Sequence, residues 1–167
     1  MNIKIFDEDG IIGIVNVNEY NTFVNEDWEL EQLKNHFIKE MNNQNLIVWQ
    51  TNNFGGGEWN IEFVKEISNN KSHSEFSKII KVTNGILNIV NYTDLTMSAQ
   101  FEDEKLPSKQ NAEKIIILDN GFYNFTIRRM FNPDEEIEET KTSFEIVTKR
   151  LNVTEMDYVE KIFWWTF

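Results

Sequence analysis

The chain has 167 residues, of which 40% are hydrophobic and 13% aromatic, and this composition favours one packed domain over a disordered chain. It contains no cysteine, which excludes disulfide bonds, thiolate catalysis and sulfur-ligated metal sites. The formal net charge of −12 repels phosphate backbones, so we expect no nucleic-acid partner. The same charge attracts basic proteins and speeds their encounter.

The N-terminal segment predicts a β-hairpin. "NIKIF" and "IIGIVNV" flank "DEDG", in which Asp9-Gly10 is typical of a two-residue turn. The early acidic residues do not fit a signal peptide, and no apolar run approaches the roughly 20 residues that span a bilayer. We therefore expect a cytoplasmic protein with no membrane partner.

One principal helix is predicted at about 26–42. Asn25 is a suitable N-cap, and Asn42-Asn43 can end the helix. Its apolar side chains recur at helical spacing and predict a core-facing stripe of Leu30, Leu33, Phe37, Ile38 and Met41.

From residue 45 onward the sequence predicts short strands. They are "NLIVWQT", "EWNIEFV", "SKIIKVT", "GILNIVNY", "LTMSAQF", "EKIIILD", "GFYNFTIRRMF" and "TSFEIVTKRL", all rich in β-branched or aromatic residues and separated by turn residues. Too few helices are available for a parallel sheet. The predicted fold class for 1–167 is therefore a single β-rich α+β domain, an antiparallel β-sandwich or partly open barrel with the helix on one side.

Three consecutive glycines occur in "WQTNNFGGGEWNIEFV". A phosphate-binding loop needs Lys-Ser/Thr after its glycines and a helix behind them. Here Trp59, Ile61 and Phe63 alternate with polar residues, as in a strand with one buried face. We predict that Gly55–Gly57 form a turn, across which "IVWQ" and "WNIEF" pair antiparallel.

The C-terminal segment "YVEKIFWWTF" predicts a closing strand in the core. The adjacent Trp164 and Trp165 would point to opposite faces of a strand, so both faces would be covered.

Catalytic motifs are absent from the sequence. His36 lies beside the apolar stripe of the helix, and His73 lies in the polar stretch "NNKSHSE"; neither has ligand or triad spacing. The many carboxylates provide pairs by abundance alone. We therefore expect no enzyme activity, no cofactor and no metal site.

Two acidic clusters are the candidate partner-binding residues. Dense like charges are costly unless they are solvated or meet a cationic partner, so each cluster is either a solvated loop or a binding surface. The first comprises Glu102, Asp103 and Glu104, and the second comprises Asp134, Glu135, Glu136, Glu138 and Glu139.

The second half of the chain resembles small β-rich bacterial inhibitors, namely the competence nuclease inhibitor and the immunity proteins of polymorphic toxin systems. The resemblance covers about half the chain and rests on a strand ending in an acidic residue (Ile115–Asp119), a Gly-aromatic-Tyr step (Gly121-Phe122-Tyr123) and an acidic loop (Asp134–Glu139). "GGGEW" is similar to a Gly-rich turn of related families. No inhibitory residue matches a defined motif.

The sequence favours a non-enzymatic, immunity-type inhibitor that occludes a basic toxin or nuclease through an acidic surface. One alternative is a small-ligand or carbohydrate-binding sandwich with a platform of Trp28, Trp49 and Trp59. Another is a structural subunit of a larger assembly.

Overall fold

The computed structural model describes residues 1–135, 141–152 and 157–166. Within these ranges the chain forms nine strands and two helices. In chain order they are β1 (Asn2–Asp7), β2 (Ile11–Val15), α1 (Leu30–Asn42), β3 (Leu46–Gln50), β4 (Gly57–Val64), β5 (Ser74–Val82), β6 (Ile86–Asn91), α2 (Tyr92–Gln100), β7 (Ile115–Ile117), β8 (Gly121–Arg129) and β9 (Phe144–Leu151).

The strands form two sheets that enclose a common core. The five-stranded sheet has the order β1-β4-β9-β8-β5, and the four-stranded sheet has the order β3-β2-β6-β7. Strand pairs are antiparallel except β4 and β9, which run parallel with Ile61 beside Phe144. This architecture confirms the predicted β-rich α+β sandwich.

The core lies between the sheets and contains large aromatic side chains from both of them. Trp49 of the four-stranded sheet and Trp59 of the five-stranded sheet both pack against Phe144, at ring-centroid distances of 5.7 and 5.8 Å. Both tryptophans are at most 1% exposed. A sandwich core of this kind is stabilised by the apolar area that the two inner faces remove from water.

The second layer of the core lies on the outer face of the four-stranded sheet, where α1 packs. Leu33, Phe37 and Met41 of α1 join Leu46 and Val48 of β3 in one buried cluster. Because this sheet is covered on both faces, β2 and β3 are buried at every position rather than at alternate ones. In the described ranges, no helix has both the length and the apolar character needed to cross a bilayer.

Helix α1 begins four residues later than predicted. Its N-cap is Glu29, whose backbone N–H donates to Gln32 Oε1 at 2.8 Å, half of a capping-box arrangement. Asn25 instead accepts from the Asp27 N–H at 3.0 Å and closes a turn before the helix. The end of the helix at Asn42, followed by Asn43, agrees with the prediction.

A second helix, α2, replaces the strand predicted at "LTMSAQF", and that prediction was wrong. The Asn91 side chain caps the helix by accepting from the Asp94 N–H at 3.0 Å, which satisfies one of its first free amides. Leu95 and Ala99, four residues apart, bury the same helix face. This local capping outweighs the strand propensity of Thr96.

The predicted hairpins β1–β2 and β3–β4 do not form. β1 pairs with β4 in one sheet, whereas β2 pairs with β3 and β6 in the other. The chain therefore crosses between sheets at both of the proposed turns. Gly55 and Gly56 lie in a loop and Gly57 begins β4, as expected for a turn rather than a helix. However, β3 before the loop and β4 after it belong to different sheets.

The glycines allow these two crossings to lie against each other. A Cβ on Gly56 would lie 2.2 Å from the Asp7 carbonyl oxygen, and one on Gly10 would lie 3.0 Å from the Gly55 oxygen. Only glycine permits backbones to approach so closely. The glycine run therefore serves contact between two backbone segments.

The C-terminal segment 157–166 packs on the core without forming a strand, so the predicted closing strand was wrong. Phe163 stacks on Phe76 with ring centroids 3.7 Å apart and makes a single bridge to Trp49. Trp164 has a φ of 59°, which breaks the extended conformation. Its ring covers the Arg129 guanidinium at 4.0 Å.

Candidate binding surface

The two acidic clusters lie at different places on the molecule. Glu102, Asp103 and Glu104 are exposed in the loop after α2, and Asp134 and Glu135 are exposed in the loop after β8. They border two cavities that share no lining residue. The remaining predicted residues, Glu136, Glu138 and Glu139, lie outside the described residues.

The first cavity, which we call the α2 groove, has a volume of about 600 Å³. It is formed by one face of α2, the end of β1 and the loop 103–110. Its floor is polar and buried, its walls are apolar and its rim is charged. The groove is defined by Asn91, Asp94 and Ser98 on the floor, Phe6, Met97 and Pro107 on the walls, and Glu8, Asp103, Glu104, Lys105 and Lys109 on the rim.

Helix capping and strand alternation position these side chains. Asn91 caps α2 and also donates from Nδ2 to the Phe6 carbonyl oxygen at 3.0 Å, which ties the helix to β1. Asp94 and Ser98, four residues apart, lie on one face of the helix. Asp94 is held by Asn111, whose Nδ2 donates to its Oδ2 at 2.7 Å.

Two acidic residues in the turn before α1 lie close to the end of α2. The amides of Val24 and Asn25 donate to the Ala99 carbonyl oxygen at 2.8 and 3.2 Å. This contact brings the exposed residues Glu26 and Asp27 beside the end of α2. Val24 and Ala99 are far apart in sequence, so this contact is a product of the fold.

The second acidic cluster is tied to its own loop. Asn53 Nδ2 donates to Asp134 Oδ1 at 2.6 Å, and Asn132 Nδ2 donates to Glu135 Oε1 at 2.9 Å. Glu135 borders a polar cavity of about 590 Å³, whose other lining residues include Lys71 and Glu145. Glu145 is paired there with Arg128. These contacts give Asp134 and Glu135 local structural roles.

The histidines are separate from both cavities. His36 lies on α1, edge-on to Tyr20 at a centroid distance of 5.5 Å, and its burial lowers its pKa. His73 is exposed in the loop before β5. Among residues 1–135, 141–152 and 157–166, no three His, Asp or Glu side chains are placed to hold a metal ion.

Asp7 lies between the groove residues Phe6 and Glu8 but faces the protein interior. Its side chain is fully buried, and its Oδ2 has no hydrogen-bond partner among the described residues. Burial raises its pKa from 3.8 to about 6, although nearby backbone amides, that of Asp9 first, act in the opposite direction. Sequence reasoning gave no indication of this, because Asp9-Gly10 suggested an exposed turn.

We expect the Asp7→Asn variant to gain stability relative to the wild type as the pH rises. Because the folded pKa of Asp7 lies above its unfolded pKa, the folded wild type retains a proton that the unfolded chain loses between about pH 4 and about pH 6. Over that window the wild type loses about 2–3 kcal/mol of unfolding free energy that the variant keeps. Urea unfolding of both proteins across this range measures the difference. A difference independent of pH would contradict the assignment.

The fold places this protein in the class of β-rich α+β sandwiches. Comparison with known proteins finds a solved structure with a similar fold. No protein-family model matches the chain, and no curated protein matches it. A solved structure named crocagin biosynthetic gene J is similar, with a TM-score of 0.56 and 8% sequence identity, over 88% of this chain and 94% of that chain. At this identity the likeness shows the fold alone.

Proposed function

We propose that this protein is a non-enzymatic, immunity-type inhibitor, which binds a basic toxin or nuclease and occludes it through an acidic surface. The observation that carries this proposal is the cluster Glu102–Glu104 beside the α2 groove. All three carboxylates are exposed, and no cation of the described chain forms an ion pair with them. Unpaired charges of one sign in a cluster favour a partner that supplies the opposite sign.

Apolar side chains beside these charges support a protein partner. Phe6 is 49% exposed, Met97 is 39% exposed and Phe101 is 40% exposed. Large apolar side chains within a charged surface are typical of protein–protein interfaces, in which an apolar centre is surrounded by a polar rim. Asp134 and Glu135, which lie at a different place on the molecule, form a second acidic region that we also assign to partner binding.

The three tryptophans that the carbohydrate-binding alternative requires do not form an exposed platform in this structure. Trp49 and Trp59 are at most 1% exposed and belong to the core between the sheets. Trp28 is half-buried and packs against the α1 cluster. These three rings therefore form no exposed surface on which a sugar could stack.

Neutralising Glu102→Gln, Asp103→Asn and Glu104→Gln together should slow association with the basic partner severalfold at low salt. The loss should shrink near about 0.5 M salt, where screening limits the field to a few ångströms. Stopped-flow association rates with the product of a neighbouring gene measure this effect. The Asp134→Asn/Glu135→Gln pair should give a smaller effect, because those carboxylates have local hydrogen bonds.

A charge-matched control separates the local cluster from net charge. Glu66, Glu113 and Glu160 are exposed and lie elsewhere in the chain, so changing all three to glutamine removes the same charge without touching the groove. Equal slowing by both triple variants would show that only net charge matters. Wild-type rates in the Glu102–Glu104 variant would refute the proposed surface.

A further inference from the structure

The floor of the α2 groove contains a buried carboxylate with one free oxygen. Asp94 is 5% exposed. Its Oδ2 accepts the hydrogen bond from Asn111, whereas its Oδ1 has no hydrogen-bond partner in the described chain. Oδ1 is not among the side-chain atoms that are both sealed from solvent and without a hydrogen-bond partner. Because it has no partner, it is open to the groove that Asp94 lines. A buried carboxylate of this kind favours a donor that supplies positive charge.

A second acceptor lies on the same face of α2. Ser98 is 1% exposed and lines the groove; its Oγ donates to the Leu95 carbonyl oxygen at 3.2 Å. The hydroxyl hydrogen is thereby used, and the oxygen lone pairs can accept a hydrogen bond. The floor therefore offers acceptors spaced one helical turn apart, which suits a group with several N–H donors.

The walls of the groove can contact the aliphatic part of a long basic side chain and the planar surface of its guanidinium group. Phe6, Met97 and Pro107 present apolar surface between the rim and the floor. An aliphatic stem can lie along such a surface while its charged end reaches a carboxylate. A planar guanidinium can also stack on an aromatic face such as that of Phe6, which an ammonium group does less well.

The charges around the groove argue against an anion. Glu8, Asp94, Asp103 and Glu104 line the groove together with the two lysines, Lys105 and Lys109. Both lysines are exposed at the rim, whereas the buried charge belongs to Asp94. An anion in the groove would lie against a buried negative charge, which is costly.

We propose that the α2 groove is the site that receives an arginine side chain of the protein partner. The guanidinium lies at Asp94 Oδ1 and Ser98 Oγ, and the stem lies against Met97 and Phe6. This assignment rests on the proposed function and specifies the partner's chemistry at one point of the surface. The exposed carboxylates Glu102–Glu104 then steer the partner, and Asp94 holds it.

A methyl NMR titration tests the groove without needing the partner. Met97 lines the α2 groove, Met130 lines the polar cavity and Met41 is buried in the core, so their ¹³C-labelled methyl signals report on three different places. The probe is butylguanidinium, and its neutral control is butylurea, which has a similar shape. We expect butylguanidinium to shift the Met97 signal saturably, with Met41 and Met130 unchanged, and butylurea to leave all three unchanged.

Two variants test the residues themselves. Asp94→Asn removes the charge but retains an acceptor for Asn111, and we expect it to weaken butylguanidinium binding about tenfold or more. The matched control Glu66→Gln removes one exposed charge away from the groove and should weaken binding less than about twofold. Phe6→Ala, at a half-exposed position, should weaken it about threefold if the ring stacks on the guanidinium.

The outcomes separate this inference from the proposed function. An unmoved Met97 signal, or equal shifts with butylurea, would overturn the arginine site even if Asp94→Asn failed to fold. If butylguanidinium does not bind in the groove but neutralising Glu102–Glu104 still slows association with the partner, the arginine site is wrong and the inhibitor proposal stands. If the probe binds as expected and the neutralised protein associates at the wild-type rate, the groove is a cation site and the inhibitor proposal is wrong.

Discussion

Replacing Gly56 with alanine should destabilise the fold by about 3 kcal/mol or more, the upper range for a side chain forced into occupied space. The added Cβ would lie 2.2 Å from the Asp7 carbonyl oxygen and 2.5 Å from that of Glu8. Both are backbone atoms, so no rotamer change relieves the clash. The two crossings between the sheets would have to move apart, and β1 and β4 would lose their register.

The neighbouring glycine provides the control for this prediction. A Cβ on Gly57 would first meet a ring carbon of the Trp59 side chain at 3.1 Å, and a side chain can adjust by a few tenths of an ångström. Gly57→Ala should therefore cost clearly less than Gly56→Ala. Urea unfolding at neutral pH measures both. Equal losses of unfolding free energy would mean that any side chain in the glycine run is destabilising. The close backbone contact at Gly56 would then not explain the effect.

Replacing Phe163 with alanine should lower the unfolding free energy by about 3 kcal/mol, at the lower end of the range for Phe→Ala because the ring is half-buried. Phe163 packs against both core clusters, the one between the sheets and the one beneath α1. It stacks on Phe76, so its removal also loses an aromatic pair. The segment 157–166 would lose its main attachment to the core.

The same segment offers a matched control in Tyr158, which is 71% exposed. Tyr158→Ala should change the unfolding free energy by less than about 0.5 kcal/mol, as surface substitutions usually do. Chemical unfolding of both variants compares them directly. If Phe163→Ala were as stable as Tyr158→Ala, the C-terminal segment would contribute little to the fold.

The sequence predicted the strands well because alternation and β-branched content are local signals. Seven of the eight segments predicted after residue 45 contain strands at the predicted places. The helix α1 was predicted for the same reason, through its apolar stripe. The strand predicted at 95–101 was wrong because the cap at Asn91 lies before the segment whose propensity was weighed.

Strand pairing could not be predicted in the same way. "DEDG" and "GGG" are both typical of turns. Such sequences predict that the chain changes direction, but they do not predict which sheet the next strand joins. The crossings follow from which strands pair, and they bring the backbones of Gly56 and Asp7, distant in sequence, close together. The exposure of Glu102–Glu104 followed from their charge, whereas the α2 groove joins Phe6, Asp94 and Pro107, which are distant in the sequence.

The position of β9 has a consequence for how the chain reaches its fold. The last strand in sequence is the central strand of the five-stranded sheet, between β4 and β8. During synthesis, the pairs β1–β4 and β8–β5 cannot be joined into one sheet until residues 144–151 have left the ribosome. Contacts of such long sequence separation slow folding. We therefore expect the sheet to close only after translation is nearly complete, and nascent chains truncated before Phe144 to remain protease-sensitive.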